Sequence, residues 1–262
     1  MTREGDGVHA ELRDDGTLLR ILLDRPRGNV LTTELVAGIR AALLAHESAP
    51  HLKMAYLRGA GGHFSYGASI QEHRAASMPG LLASFHSLAR AIAAYSVPVA
   101  ALVEGKCLGG AFEMALCCHL VFATRDARFA WPEIKLGVFP PLAAAVAPLR
   151  LGGALAERLI LTGEETDAET LHRIGFVSAV FEDEDPEPAL LEWQRARMGP
   201  LSAFAIRQAT RALRAGSPLL EALEDPLGRT EAQYLGEVLA SHDGAEGIEA
   251  FLERRAPRWE DR

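Results

Sequence analysis

The segment Glu104-Gly-Lys-Cys-Leu-Gly-Gly-Ala-Phe-Glu-Met-Ala-Leu-Cys-Cys-His119 follows an apolar run, residues 98–103, that is typical of a buried strand. The paired glycines Gly109 and Gly110 predict a tight turn, and the apolar residues after them predict a helix. The first N–H groups of a helix have no partner inside it, and the helix dipole places partial positive charge there. Glu113 would lie one turn further on. The pattern therefore predicts backbone donors beside a carboxylate, which suits an active site, although a plain helix start with an acidic residue has the same pattern.

Composition limits the possible classes of protein. Of the 262 residues, 48% are hydrophobic and 24% charged, so the chain can bury a sizeable core as one large domain or as a core with an appendage. The net charge of −8 argues against a nucleic-acid partner, and no run of about 18 apolar residues predicts a membrane span. The N-terminus lacks the apolar core of a signal peptide, and an odd, low cysteine count predicts a reducing compartment, so a cytoplasmic protein is expected.

The cysteines and the histidine of Cys117-Cys118-His119 could suggest a metal site. Neighbours on a helix point roughly 100° apart, however, so they cannot readily ligate one ion. We therefore expect buried helix residues here and no bound metal.

Apolar runs alternate with helical patterns along most of the chain. Two strands, at Val8–Arg13 and residues 17–23, flank a turn, and a helix capped by Thr32 or Thr33 extends to His46. Further strands are predicted at residues 54–57, 98–103, 120–123 and 176–181, and further helices at 79–95, 151–161 and 167–173. The alternation favours an α/β fold with a largely parallel sheet.

A doubly wound nucleotide-binding fold would be the default for such a pattern, but its phosphate motifs are missing. Residues 59–64 do not complete a G-x-G-x-x-G motif, and Gly105-Lys106 is followed by Cys107, so no P-loop forms. The segment His63-Phe-Ser-Tyr-Gly67 lacks the first glycine of a nucleophile elbow. Nucleotide binding and serine hydrolysis are thus disfavoured.

The end of the chain contains only helical patterns, at about residues 201–214, 218–240 and 245–254. We place a boundary near residue 195, which divides the chain into a core, residues 1–195, and a helical region, residues 196–262. A helical region of roughly 65 residues buries little surface by itself. It should therefore pack on the core or on another subunit.

Three segments, in this order, resemble the crotonase (enoyl-CoA hydratase/isomerase) superfamily. They are Phe64-Ser-Tyr-Gly-Ala-Ser-Ile70, Gly105-Lys-Cys-Leu-Gly-Gly-Ala-Phe-Glu113 and Phe129-Ala-Trp-Pro-Glu-Ile-Lys-Leu-Gly137. The tail Glu246-Gly-Ile-Glu-Ala-Phe-Leu-Glu-Arg-Arg-Ala-Pro257 is also similar to the family's C-terminal pattern. The resemblance implies an α/β, crotonase-like spiral of ββα turns with a C-terminal helical trimerisation region, assembled as a homotrimer or a dimer of trimers.

The resemblance also implies roles for particular residues. Ala68 and Gly110 match the positions whose N–H groups form the oxyanion hole, and Glu113 and Glu133 match the acid/base glutamates of the hydratases. The positions matched to substrate or coenzyme A binding are Arg25, Arg27, Asn29, Val30, Tyr66, Ile70, Gly109 and Phe139. The implied substrate is an acyl-CoA thioester, and no cofactor is needed because the coenzyme A belongs to the substrate.

Residue chemistry agrees with a hydratase. Hydration of a conjugated thioester pushes charge onto the thioester oxygen, which two fixed N–H donors would stabilise. One carboxylate must take a proton from water while a carboxylic acid supplies one to carbon. Isomerases of the family generally need only the carboxylate at the position of Glu133, so the presence of both glutamates favours a hydratase.

Two departures from the common family pattern bear on the substrate. Ser69 stands where many members have Asp, and Leu136-Gly-Val-Phe-Pro-Pro-Leu142 replaces a glycine-rich stretch. That segment and residues 64–73 resemble the branch that hydrates cyclohexa-1,5-diene-1-carbonyl-CoA in anaerobic aromatic degradation, the benzoyl-CoA pathway. A hydratase or isomerase of acyclic enoyl-CoA, or a non-catalytic scaffold that binds CoA thioesters or RNA, remains the alternative.

Overall fold

Two β-sheets organise the fold in the computed structural model, which describes residues 7–72 and 77–262. The larger sheet has strand order β1-β2-β3-β4-β6-β9; β1 and β2 are antiparallel, and the other neighbours are parallel. The smaller sheet has order β5-β7-β8. The strands are β1 (Val8–Arg13), β2 (Leu18–Leu23), β3 (Met54–Gly59), β4 (Val99–Val103), β5 (Lys106–Leu108), β6 (Leu120–Thr124), β7 (Arg128–Ala130), β8 (Thr166–Asp167) and β9 (Ala179–Phe181).

Helices follow or cover these strands. They are α1 (Thr33–His46), α2 (Met78–Ala93), α3 (Gly110–Cys117), α4 (Pro141–Leu151), α5 (Gly153–Thr162), α6 (Ala168–Arg173), α7 (Glu187–Arg197), α8 (Ala203–Ala215), α9 (Pro218–Ala222), α10 (Asp225–Gln233) and α11 (His242–Leu252). Ile70–Glu72 and Pro132–Leu136 are 3-10 turns, and Tyr234–Val238 is a π-helix. In the described ranges, no helix is both long enough and apolar enough to cross a membrane.

From β4 to β7, consecutive strands alternate between the two sheets. The chain passes from β4 in the larger sheet to β5 in the smaller one and then enters α3. It repeats this path from β6 to β7, through a 3-10 turn and into α4. These ββα units are the turns of the expected spiral, and they place the start of α3 beside the segment that follows β7.

Several predicted elements are confirmed closely because their signals are local. β1 has the predicted bounds, and the side chain of Thr32 caps α1 by accepting a hydrogen bond from the N–H of Leu35. Cys117 is a buried helix residue at the end of α3, as expected, whereas Cys118 is a buried, extended C-cap and His119 is half-buried after the helix. The prediction concerning a signal peptide falls on residues 1–6, outside the described residues, as does His73 at the end of the segment that resembles the dienoyl-CoA branch.

Other boundaries were predicted wrongly. The helix expected at 218–240 is divided into α9, α10 and the π-helix, because Pro226 lacks an N–H group and favours a new helix start. β9 begins at Ala179, three residues later than expected. The helices α4 and α7 and the short strands β5 and β7 were not predicted. The division into core and helical region remains a prediction, with α7 continuous across residue 195.

Candidate active site

Glu113 and Glu133 reach one cavity from two different turns of the spiral. Glu113 lies in the first turn of α3, and Glu133 lies in the 3-10 turn that follows β7. The neighbouring side chains hold these segments together, because the ring of Phe112 stacks on that of Trp131 at 4.1 Å between centroids and 7° between planes. Both rings are fully buried. The pair of glutamates is therefore fixed by packing between the two segments that carry it.

The cavity beside the two glutamates is small and mostly apolar. Its walls come from α2, from the start of α4 and from Tyr234, and Ala68, Gly110 and Phe139 also line it. Its volume of ≈ 30 Å³ is sufficient to admit water. Carboxylates in such a space lose most of their hydration.

Burial controls the proton affinity of Glu113. It raises the pKa of Glu113 to about 7, although hydrogen bonds from the N–H groups of Ala143 and Leu142 favour the charged form. The bond from Ala143 to Oε1 of Glu113 is 2.8 Å long. Both donors lie in the first turn of α4, where N–H groups lack helical partners. The start of α4 therefore keeps this buried carboxyl able to ionise near neutral pH.

Glu133 holds its proton more tightly. Burial, followed by the charge of Glu113, raises the pKa of Glu133 to about 8. Its buried Oε2 has no hydrogen-bond partner within residues 7–72 and 77–262. Since the two carboxyls interact, they titrate as a pair. Near neutral pH such a pair can present one carboxylate and one carboxylic acid, which are the two forms that addition of water requires.

Two backbone donors face the same cavity. A Cβ atom built on Gly110 would stand 3.6 Å from the nitrogen of Ala68, so the two residues lie side by side. In the described part of the chain, neither the N–H of Ala68 nor that of Gly110 donates a hydrogen bond to another protein group. Paired, unused N–H groups beside a cavity have the arrangement of an oxyanion hole.

Backbone pairing holds the Ala68 loop against β5. Ser65 donates to the carbonyl of Lys106 over 3.1 Å and accepts from the N–H of Leu108 over 3.0 Å. Gly67 has a φ of +89°, and a Cβ there would come within 2.5 Å of the Leu108 oxygen, so this close approach requires glycine. The loop can thus come close enough for the two donors to converge.

Gly109 brings the turn before α3 against Glu133. Its φ of +52° is unfavourable for side chains, and a Cβ would stand 2.6 Å from Oε1 of Glu133. Its N–H donates to the carbonyl of Ala130 over 2.8 Å. This contact, like that of Gly67 with Leu108, depends on a glycine. It therefore sets the distance between the start of α3 and Glu133.

The two segments predicted to bind coenzyme A lie next to each other. The N–H of Tyr66 donates to the carbonyl of Gly28 over 2.8 Å, and the Ser65 hydroxyl donates to the carbonyl of Asn29 over 2.8 Å. Tyr66 is 45% exposed, and Ile70 begins the 3-10 turn after this loop. The structure thus brings residues 25–30 beside residues 66–70, but their contact with coenzyme A remains a prediction.

The side chains of residues 25–30 differ in how free they are to contact a ligand. The amide of Asn29 is buried and donates to the carbonyls of Ala60 and His63 over 2.9 and 3.0 Å. Arg25 is half-buried and pairs with Glu34. Arg27 is exposed and Val30 half-buried. Asn29 therefore supports the loop with its side chain, whereas Arg27 presents a solvent-facing guanidinium.

The comparisons with known proteins agree with this geometry. The sequence model of the family described as Enoyl-CoA hydratase/isomerase matches residues 13–262. The chain belongs to the enoyl-CoA hydratase/isomerase family. Among curated members of this family, cyclohexa-1,5-dienecarbonyl-CoA hydratase of Thauera aromatica is 42% identical over 262 residues, with 100% of both chains covered. 2,3-Dehydroadipyl-CoA hydratase of Escherichia coli is 31% identical over 251 residues, covering 94% of this chain and 96% of that one.

A solved enoyl-CoA hydratase has the same fold. The crystal structure of the protein from Mycobacterium avium subsp. paratuberculosis K-10 superposes with a TM-score of 0.83 at 30% identity, covering 97% of this chain and 99% of that chain. The resemblance to the crotonase superfamily, the α/β fold with C-terminal helices and the assignment as a hydro-lyase of the enoyl-CoA hydratase type are confirmed. An acyl-CoA thioester substrate is consistent with this family.

Two features of the site were missed by the sequence analysis. The first is the start of α4, whose Ala143 donates to Glu113. Pro140-Pro141, followed by Leu142 and three alanines, was a usable signal, since proline is favoured at the first helical position and alanine is the best helix former. The second is Tyr234, which lines the cavity. No local pattern relates this tyrosine to either glutamate.

Proposed function

We propose that this hydratase adds water to cyclohexa-1,5-diene-1-carbonyl-CoA and forms 6-hydroxycyclohex-1-ene-1-carbonyl-CoA. One observation supports this chemistry. Glu113 and Glu133, which titrate as a pair, line the same cavity as the unused N–H donors of Ala68 and Gly110. The choice of a cyclic substrate rests on the 42% identity to the Thauera aromatica hydratase and on the wall made by Phe139, Pro140 and Pro141.

In the proposed mechanism, the thioester oxygen accepts hydrogen bonds from the N–H groups of Ala68 and Gly110. Charge develops on this oxygen when the nucleophile adds to the β-carbon, so the donors stabilise the enolate more than the substrate. Loss of one such donor typically costs about 3 kcal/mol of transition-state stabilisation. Both donors belong to backbone that is held by neighbouring strands, so little reorganisation is needed when the charge forms.

The two glutamates move the protons. The ionised member of the pair takes a proton from water as the oxygen bonds to the β-carbon, and the protonated member gives a proton to carbon at the far end of the conjugated system. The result is a formal 1,4-addition that leaves one double bond in the ring. We assign these roles to Glu113 and Glu133 jointly, because their protons belong to a coupled pair.

The wall beside the glutamates favours a ring. Phe139 packs edge-on against Tyr234 with ring centroids 5.6 Å apart, and Pro140 and Pro141 restrict the backbone that follows it. An apolar pocket discriminates by about 1–3 kcal/mol per methylene-sized contact. We therefore expect kcat/KM for the cyclic dienoyl-CoA to exceed that for crotonyl-CoA by at least roughly tenfold.

Steady-state kinetics with the two thioesters test this preference. Phe139→Ala should narrow the ratio of the two kcat/KM values, whereas Ile174→Ala, at a 45% exposed position after α6, should leave the ratio unchanged. Equal or better turnover of crotonyl-CoA by the unmodified protein would refute the cyclic substrate and retain the hydratase class. If Phe139→Ala slows both reactions alike and lowers the unfolding temperature, Phe139 is a core residue and not a selective wall.

An acyclic enoyl-CoA is the second candidate substrate. The 31% identity to the 2,3-dehydroadipyl-CoA hydratase of Escherichia coli favours it, because that name describes an open-chain acyl group. The same kinetic comparison decides between the two. An isomerase is less well supported, since the cavity contains both glutamates and isomerases of the family generally need one. No cofactor takes part in this proposal, and the cytoplasmic location remains a prediction.

We also propose that the chain assembles as a homotrimer or a dimer of trimers. Large apolar side chains are exposed in the single chain, with Leu161 at 69%, Phe204 at 70% and Leu213 at 73% exposure. A partner subunit would remove such side chains from water, which stabilises association by about 25 cal/mol per Å² of apolar surface buried. Light scattering should give the mass of three or six chains. A single-chain mass at micromolar concentration would contradict the assembly.

A further inference from the structure

Tyr234 is a third polar side chain at the cavity that contains the two glutamates. It is 1% exposed, lines the cavity and stands where α10 gives way to the π-helix. Such π-helical segments are rare and are frequent at functional sites. Its hydroxyl has no role in the mechanism described so far.

Two contacts of α10 hold Tyr234 in place. The Thr230 hydroxyl donates to the carbonyl of Pro141 over 2.8 Å, which ties α10 to the start of α4. Glu231 pairs with Nδ1 of the buried His86 on α2 over 2.7 Å. Because Tyr234 lies four and three residues after these anchors, it is on the same side of the helix. These two contacts attach α10 to α2 and to the start of α4, immediately before Tyr234.

The hydroxyl of Tyr234 differs from those of the other buried tyrosines. Tyr56 donates to Glu187 over 2.7 Å, and Tyr95 donates to the carbonyl of Leu43 over 2.8 Å. Within the described ranges, the Tyr234 hydroxyl makes no hydrogen bond to a protein group, and its oxygen is not among the fully buried side-chain atoms that lack a partner. The hydroxyl is therefore available to a water or ligand in the cavity that Tyr234 lines.

The surroundings of Tyr234 keep its proton in place. Burial and then the charges of Glu133 and Glu113 raise the pKa of Tyr234 well above its usual value. Both glutamates are thus close enough to act on the phenol electrostatically. The hydroxyl remains a hydrogen-bond donor throughout the pH range in which the glutamates exchange protons. Since the cavity can admit water, a water can bridge the phenol and a carboxylate.

We propose that Tyr234 is a catalytic residue whose hydroxyl holds the reacting water between the two glutamates. This inference rests on the proposed hydration. The phenol donates a hydrogen bond to the water oxygen and keeps its proton throughout. One O–H bond of the water breaks, with its proton passing to the carboxylate, and the oxygen forms the bond to the β-carbon. The other glutamic acid supplies the proton to carbon, so the atoms and charges balance. In the reverse direction the phenol holds the departing hydroxyl group.

Tyr234→Phe tests this role because it removes the hydroxyl and keeps the ring against Phe139. We expect kcat to fall by about ten- to a hundredfold, the range for a hydrogen bond that involves a charged network. KM should stay within about twofold, because the water and not the coenzyme A is held less well. The unfolding temperature should stay close to the wild-type value, since no hydrogen bond to the protein is lost.

Tyr95→Phe is the matched control. It removes a buried hydroxyl that donates to the Leu43 carbonyl away from the cavity, so it should lower stability and leave kcat unchanged. A Tyr234→Phe enzyme with wild-type kcat, or with kcat and unfolding temperature lowered together, would overturn the inference. If the unmodified protein hydrates neither the dienoyl-CoA nor crotonyl-CoA, the proposed function fails and this role fails with it. Activity that Tyr234→Phe leaves intact would remove only the role of the tyrosine.

Discussion

Glu133→Gln should lower kcat by more than about 100-fold, because glutamine can neither take a proton from water nor give one to carbon. The substitution preserves the size of the side chain within the packed turn after β7. Glu113→Gln should have a similar effect, since hydration needs both a base and an acid and the two carboxyls act as a coupled pair. Steady-state rates with the preferred thioester measure both variants. Near-wild-type hydration by either one would show that the two-glutamate mechanism is wrong.

The unfolding temperature, measured as a function of pH, shows whether Glu133→Gln changes the fold as well as the chemistry. The pKa of Glu133 is raised to about 8, above its value of about 4.3 in an unfolded chain. The stability that this group contributes is therefore fully present below the unfolded value and is lost as pH rises through about 8. Glu133→Gln should match the wild type in unfolding temperature near pH 4 and equal or exceed it near pH 9. Glu192→Gln, at an exposed position in α7, should change neither activity nor this pH dependence.

Gly109→Ala is expected to cost about 100-fold in kcat/KM without removing any catalytic group. The added Cβ would stand 2.6 Å from Oε1 of Glu133, so the carboxylate or the turn must move. The same turn carries Gly110, whose N–H is a proposed oxyanion donor. A displacement of roughly 1 Å in such a site can cost about 100-fold in rate.

Gly61→Ala is the control that distinguishes the clash with Glu133 from backbone strain alone. Gly61 also has a positive φ, +76°, but a Cβ there would meet no atom within 4 Å. Gly61→Ala should therefore lower the unfolding temperature and retain most of the activity. The close contact with Glu133 would be unimportant if Gly109→Ala kept more than a tenth of the wild-type kcat/KM, or if both variants lost activity equally.

The parts of the molecule that the sequence predicted are those with local signals. Thr32 caps α1 through a hydrogen bond three residues away, and the glycines before α3 require particular backbone angles. The short strands β5 and β7 have three residues each and exist because they pair with each other, so their alternation is too brief to predict. Tyr234 reaches the cavity through contacts of α10 with α2 and α4, which no pattern within α10 indicates.

The helix start at Pro141 has a consequence for enzyme engineering. It shapes the wall of the proposed acyl pocket, and two residues later its Ala143 N–H partly offsets the rise in the pKa of Glu113 that burial causes. A designer who replaces Pro140 and Pro141 with glycines to admit a longer chain would also loosen the donor that keeps Glu113 ionisable. Substitutions in this segment should therefore change the acyl selectivity and the pKa of Glu113 together. Laboratory evolution towards a new acyl group should produce compensating substitutions in the first turn of α4.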